Sequence, residues 1–310
     1  MTIHPDIVGI DISKLHLDVF DPRRGRVERF GNNAEAAAEL AARFAEAGQR
    51  VVFEATGAYD RQLRMALQAA GVVFCRVNPG QARDFARAAG YLAKTDAVDA
   101  RMLAAMGRAL DLRSAEPMQP DREHLVRLHK RRDQLVAMHG QERTRRRGEL
   151  DAETADSIDH HLRWLDEQVR ELDRRIRQLI ARSASLAQAE RRLRSVPGIG
   201  PVAAATLLAL APELGSRSPK AIAALAGLAP FNAHSGQKRG QRSIRGGRKR
   251  IRDALYMAAV AASRSDTRFA AFYRALRAAN KPPKLALIAV ARKLLLASNA
   301  IMRDQTVFQP

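Results

Sequence analysis

Residues 6–32 read "DIVGIDISKLHLDVFDPRRGRVERFGN" and hold three short runs rich in β-branched and aromatic residues. The first, "DIVGIDIS", is separated from "LHLDVFD" by Lys14, and the turn "DPRRG" precedes the third, "RVERFGN". Such spacing predicts three strands joined by tight turns. The rhythm then changes. "NAEAAAELAARFAEAG" predicts a helix stopped by Gly48, "RVVFEATG" a buried strand, and "YDRQLRMALQAAG" a helix stopped by Gly71. "VVFCRVNP" reads as another buried strand, followed by helical stretches over 80–89 and 95–110.

Three strands followed by αβαβα is the element order of the ribonuclease-H-like fold. In that arrangement the first strand, the fourth strand and a late helix converge at one sheet edge. Each carries an acid here: Asp11 in "GIDIS", Glu54 in "FEATG", and Asp96 and Asp99 in "KTDAVDARML". Asp18 has no positional reason to join them. Two readings of the Asp96/Asp99 pair stand side by side. Asp96 suits a helix N-cap with Asp99 reaching back from N3, an arrangement worth about 1 kcal/mol. Alternatively the pair is half of a metal site. Carboxylates about 5 Å apart repel by roughly 3 kcal/mol at an effective dielectric near 20. Hard divalent cations, Mg2+ or Mn2+, offset such repulsion and suit in-line phosphoryl transfer.

Charge sets the broad class. The formal net charge is +20 over 310 residues. Residues 1–110 carry 15 Lys+Arg and 13 Asp+Glu, whereas 111–310 carry 38 and 20. An excess confined to the second part points to a polyanion, nucleic acid before membrane. The single cysteine, Cys75, lies in an apolar run and excludes a disulfide framework or a thiolate zinc site. "MTIHPDIVGID" has no signal-peptide pattern, and "LALIAVARKLLLA" is interrupted by Arg292 and Lys293. The expectation is a cytoplasmic protein without a membrane span.

The middle of the chain has a different period. Ile158, Leu162, Leu165, Val169, Leu172, Ile176 and Leu179 alternate at spacings of four and three, an a/d seam. It predicts a coiled-coil arm that dimerises the chain, with an internal helical hairpin against the helix at Leu125–Leu135 as the other solution. The last third opens with "SVPGIGPVAAATLLA", a helix-hairpin-helix pattern whose Gly198 and Gly200 would bring backbone amides to a phosphate. Residues 236–252 then hold eight cations and no acid: Lys238, Arg239, Arg242, Arg245, Arg248, Lys249, Arg250 and Arg252. This run predicts a flexible nucleic-acid-binding loop before a helix starting near Arg248. The boundaries that follow are 1–113, 114–192 and 193–310.

"GIDISK", "FEATGAYD" and "KTDAVDARMLA" resemble, in order and spacing, the DEDD motifs of the insertion-sequence "one-ten" family of transposases. The likeness continues through "VPGIGPVAAATLLA", "LAGLAPFNAHSGQKRG", "RKRIRDALYMAAVAA" and "NKPPKLALIAVARKLLLASNAIMRD". It implies a RuvC-like domain with a divalent-metal site at Asp11, Glu54, Asp96 and Asp99. It also implies a C-terminal domain whose serine, Ser235 in "HSGQKRG", forms a covalent phosphoserine with DNA. A structured non-coding bridge RNA as guide, and a homodimer assembling to a tetramer, come from the resemblance alone. Many relatives have Ser-Ser-Gly where this chain has His-Ser-Gly, and Ser243 is a second candidate eight residues on. His234 is adjacent to Ser235 and so poorly placed as its base.

Other functions compete: a metal-only nuclease or junction resolvase forming no covalent adduct, and a non-enzymatic nucleic-acid-binding scaffold. A sugar kinase is disfavoured by the short N-terminal part and the missing later glycine-rich motif.

Overall fold

The three opening runs form β1 (Ile7–Ile12), β2 (His16–Asp21) and β3 (Arg26–Gly31), each antiparallel to the next. β4 (Arg50–Glu54) lies parallel to β1, and β5 (Phe74–Val77) parallel to β4. The strand order is β3-β2-β1-β4-β5. This computed structural model describes residues 6–55, 57, 59–91, 95–115, 119–231, 234–235, 238–239, 243–244 and 246–309. The chain divides into two units, Met1–Pro117 and Met118–Pro310.

In the first unit, period-two alternation sorts side chains onto two faces. Val8, Ile10, Ile12, Leu17, Val19, Val51 and Phe53 pack under Leu40 and Phe44 of α1 (Ala34–Glu46) and Leu63 and Leu67 of α2 (Arg61–Ala69). Ile7, Val52, Cys75 and Val77 turn the other way. They meet Ala82 of α3 (Pro79–Ala88) and Met102, Leu103 and Met106 of α4 (Asp96–Ala109). The result is a mixed sheet covered on both sides, with ends within a few residues of the predicted ones.

α4 lies directly on β1. A Cβ on Gly9 would stand 2.0 Å from the Ala100 carbonyl oxygen and 2.5 Å from the Ala104 nitrogen. A Cβ on Gly107 would come within 2.7 Å of Ile7 Cγ2 and 2.8 Å of Val52 Cγ2. Gly9 thus lets helix backbone approach strand backbone, and Gly107 makes room for the Ile7 and Val52 side chains.

In the second unit, α5 (Pro120–Gly148) and α6 (Ala152–Arg182) form an antiparallel hairpin, and α5 runs well beyond the predicted Leu125–Leu135. Leu165, Val169 and Leu172 of the heptad seam pack on Leu128 and Leu135 of α5. Three contacts one heptad apart flank this seam: Arg132–Asp173, His139–Asp166 and Arg146–Asp159. Within one chain, then, this stretch of the seam is filled by the chain's own preceding helix.

α7 (Ala184–Arg194), α8 (Pro201–Leu210), α9 (Pro219–Leu225), α10 (Lys249–Ala262), α11 (Arg268–Ala278) and α12 (Pro283–Asp304) follow. Leu193, Leu207, Leu255, Val290 and Leu294 are fully buried at the centre of their core. Arg292 and Lys293 interrupt the apolar run of α12 but not the helix, which among the described residues is the one long and apolar enough, by length and composition, to cross a membrane. Its Val290, Ala291, Leu294 and Leu295 are instead buried within the unit.

Gly9→Ala lowers the urea-unfolding free energy by about 3 kcal/mol, because backbone rather than a flexible side chain blocks the new methyl. Gly140→Ala, on open helix surface in α5, raises it by roughly 0.5–1 kcal/mol. Circular dichroism on both variants checks the opposite signs.

Candidate active site

The register that builds the core also builds a polar row. Asp11 on β1 stands opposite Asp18 on β2, and Asp18 opposite Arg29 on β3. On the other side Ile10 pairs with Phe53, so Asp11 and Glu54 follow one residue further along adjacent parallel strands. Since Ile10 and Phe53 face α1 and α2, Asp11 and Glu54 face α4. Arg29, Asp18, Asp11 and Glu54 thus cross four strands on one face.

α4 completes this arrangement from above. Thr95 is its N-cap, with Oγ1 accepting from the Val98 amide at 3.3 Å. The expectation of Asp96 as N-cap is therefore corrected: Asp96 is the first helical residue and Asp99 lies three further on, one side of the first turn. Thr95 has taken the N-cap, and Asp96 and Asp99 stand in the first turn, near the positive end of the helix dipole.

Electrostatics shows that the acids feel one another. Burial, followed by the charges of Asp99 and Asp96 and more weakly Asp18, pushes the Asp11 carboxyl up to about 6. Arg29 bridges two of them. Its Nε donates to Asp18 Oδ1 at 2.9 Å, and its Nη2 to Asp18 Oδ2 at 3.2 Å and Asp96 Oδ2 at 2.8 Å. Among the described residues no three His, Cys, Asp or Glu side chains already form a chelating group. The donor chemistry nonetheless fits a hard divalent cation: every candidate ligand is a carboxylate, and their mutual repulsion is what such an ion relieves.

Sequence reading passed over Asp18, Arg29 and Asn32. Hairpin pairing held the signal for Asp18, because Ile12 opposite Leu17 requires Asp11 opposite Asp18. Asn32 had none. Its Nδ2 donates to the carbonyls of Ser13, at 2.8 Å, and Tyr59, at 3.0 Å, tying the loop after Glu54 to the turn after Asp11.

In the second unit, the predicted flexible basic loop contains short paired strands. β6 (Pro230–Phe231) pairs with β9 (Ser243–Ile244), and β7 (His234–Ser235) with β8 (Lys238–Arg239). Ser235 stands opposite Lys238, and Ser243 opposite Phe231. Arg242 and Arg245 lie outside the described residues. Arg248 makes two 2.7 Å bonds to the Glu213 carboxylate, Arg250 pairs with Asp133, and Arg252 donates to the Gly246 carbonyl. Lys249 pairs with Asp253 one turn along α10. At Gly198, φ is +89° and a Cβ would meet the Ala258 carbonyl at 2.4 Å, which accounts for that glycine by packing. Gly200 caps α8 and faces open space.

A basic two-unit chain with a carboxylate row on a mixed sheet defines a class of nucleic-acid-processing enzyme, and comparison narrows it. Residues 190–274 match the model of the transposase IS116/IS110/IS902 family, and residues 8–154 match a transposase model named for DEDD enzymes of IS110. The pilin gene-inverting proteins of Moraxella lacunata and Moraxella bovis are each 30% identical over 312 residues, covering 97% of both chains. An uncharacterized 43.6 kDa protein of insertion element IS110 from Streptomyces coelicolor is 33% identical over 120 residues, 38% of this chain and 29% of that one. The chain belongs to the IS116/IS110/IS902 family of transposases. It is an enzyme that cleaves and rejoins DNA, and its DEDD type implies dependence on a divalent metal.

The raised Asp11 value has a testable sign. An acid whose folded value is lifted from 3.8 to about 6 penalises the fold once ionised. The penalty is absent below pH 3.8 and complete above about 6. In metal-free protein, Asp11→Asn raises stability at pH 7.5 by about 2 kcal/mol, and the gain shrinks as pH falls toward 4. Denaturant titrations across that range in EDTA measure it.

Proposed function

We propose that Asp11, Glu54, Asp96 and Asp99 hold the divalent metal, Mg2+ or Mn2+, and that Ser235 is the nucleophile. The observation that carries the metal site is the placement of Asp11 and Glu54 at neighbouring positions of adjacent parallel strands, with Asp96 and Asp99 in the first turn of α4. We read the first unit as ribonuclease-H-like and RuvC-like, supported by three antiparallel strands followed by two parallel ones in the order β3-β2-β1-β4-β5. In our reading the functional segments are 1–113, 114–192 and 193–310. The last includes a helix-hairpin-helix over α7 and α8.

The chemistry is a two-step exchange. Ser235 Oγ attacks a DNA phosphorus, the bond from phosphorus to one sugar oxygen breaks, and that oxygen leaves with a proton as a free hydroxyl. A hydroxyl on the recipient strand then attacks the phosphoserine, restoring the serine. One phosphoester is kept throughout, so rejoining needs no added energy source. A divalent ion in the carboxylate site would supply Lewis acidity to phosphate oxygens. The chain's own part is to keep the donors oriented through α4 and Asn32. Lys238, Arg239 and neighbouring cations screen the DNA backbone. A structured bridge RNA as guide and a homodimer building to a tetramer complete the reading. They rest on the family likeness.

Asp96→Asn and Asp99→Asn lower strand cleavage by about 100-fold or more while DNA retention in a gel-shift assay persists. Denaturing gels of enzyme incubated with labelled DNA show a covalent adduct that Ser235→Ala removes. An adduct persisting in Ser235→Ala and absent in Ser243→Ala moves the nucleophile to Ser243. Cleavage without any adduct favours a metal-only nuclease.

A further inference from the structure

Arg29 reaches the carboxylate row from β3, and its two bonds are unequal. The inner one is to Asp18, whose side chain is 5% exposed and grips the guanidinium through two oxygens. Breaking it would strand a buried carboxylate, which is costly. The outer bond, from Nη2 to Asp96, joins side chains that are 54% and 55% exposed. Water replaces such a contact at little cost. Arg29 is therefore anchored on one side and exchangeable on the other.

We propose that Arg29, anchored by Asp18, is a positioning residue that occupies Asp96 in the metal-free enzyme and is displaced from it when a divalent cation binds. This rests on the reading of Asp96 as a metal ligand. The Asp96 oxygen that accepts from Nη2 is one a cation would use, and a guanidinium beside a divalent ion is opposed by like charge. With no metal present, the contact ties the first turn of α4 to β3, 67 residues away in sequence. It also gives the carboxylate row a positive partner. On metal loading, the Asp18 bond keeps the guanidinium at the rim of the site while the Asp96 bond opens.

The competition has a signature that general charge balance lacks. Replacing Asp18 and Arg29 together, as Asp18→Asn with Arg29→Met, removes one negative and one positive charge. Counting charge alone predicts unchanged metal affinity, whereas release of Asp96 predicts tighter binding. The double variant also avoids the stranded Asp18 that Arg29→Met alone would leave.

Calorimetric titration of the metal-stripped full chain with MnCl2 tests this, using wild type, the double variant and Asp99→Asn. We expect Mn2+ to bind the double variant roughly five- to tenfold more tightly than wild type, with affinity lost in Asp99→Asn. Equal or weaker binding by the double variant, with affinity still lost in Asp99→Asn, overturns the role of Arg29 and leaves the metal site standing. Affinity indifferent to Asp99→Asn removes the metal-site reading and the Arg29 proposal with it.

Discussion

Everything in the first unit depends on how closely α4 approaches β1. A helix normally stands off a sheet by the length of two side chains. Here Gly9 offers none, so the backbone of α4 at Ala100 and Ala104 meets the strand, while Gly107 makes room for the Ile7 and Val52 side chains. That contact fixes the height of the first turn, where Asp96 and Asp99 lie, above a strand carrying Asp11 two residues beyond Gly9. Fold and site are therefore one construction. A methyl group at residue 9 would both weaken the core and lift one half of the carboxylate set from the other.

Gathering acids this way works against stability, and the structure carries the load in three ways. Asp11 resists ionisation. Asp18 is paired with Arg29, which reaches on to Asp96. Thr95 takes the cap in place of Asp96. Local stability favours caps, pairs and neutral carboxyls, whereas catalysis by metal favours ionised acids close together. The proposed site lies where those demands conflict, which is where sequence rules of thumb and structure are expected to part.

How far the sequence could be read follows from the range of each interaction. Strands and helices of the first unit were legible because period two and period 3.6 are local patterns, punctuated by Gly48 and Gly71. The places of Asp11, Glu54, Asp96 and Asp99 on β1, β4 and the first turn of α4 were legible because those elements are. Arg29 was not, since its role depends on the β2–β3 register carrying it beside Asp18 and on α4 arriving overhead, neither of which is written near residue 29. Asn32 was hidden for the same reason: its partners are carbonyls, and any residue has one. The heptad seam marked a helix that needed a partner but not which helix, because two chains and two segments of one chain present the same a/d pattern. The long α5 was underread because its basic end has no apolar stripe and Gly140 falls midway along it, although no proline follows Pro120.

Net charge illustrates the same limit at larger scale. The excess of cations over residues 111–310 is real as a long-range field, which steers any polyanion toward the second unit. It does not count binding residues. Arg248 spends its guanidinium on Glu213 and the Leu210 carbonyl, Arg250 on Asp133, Arg252 on the Gly246 carbonyl, and Arg132 on Asp173. These bonds join α10 to its surroundings and α5 to α6, and breaking them to reach a phosphate would loosen the unit. Basic residues in one sequence run thus divide into those that build the protein and those left to meet DNA. Only bond geometry separates the two, because a structural arginine and a phosphate-binding arginine contribute identically to net charge.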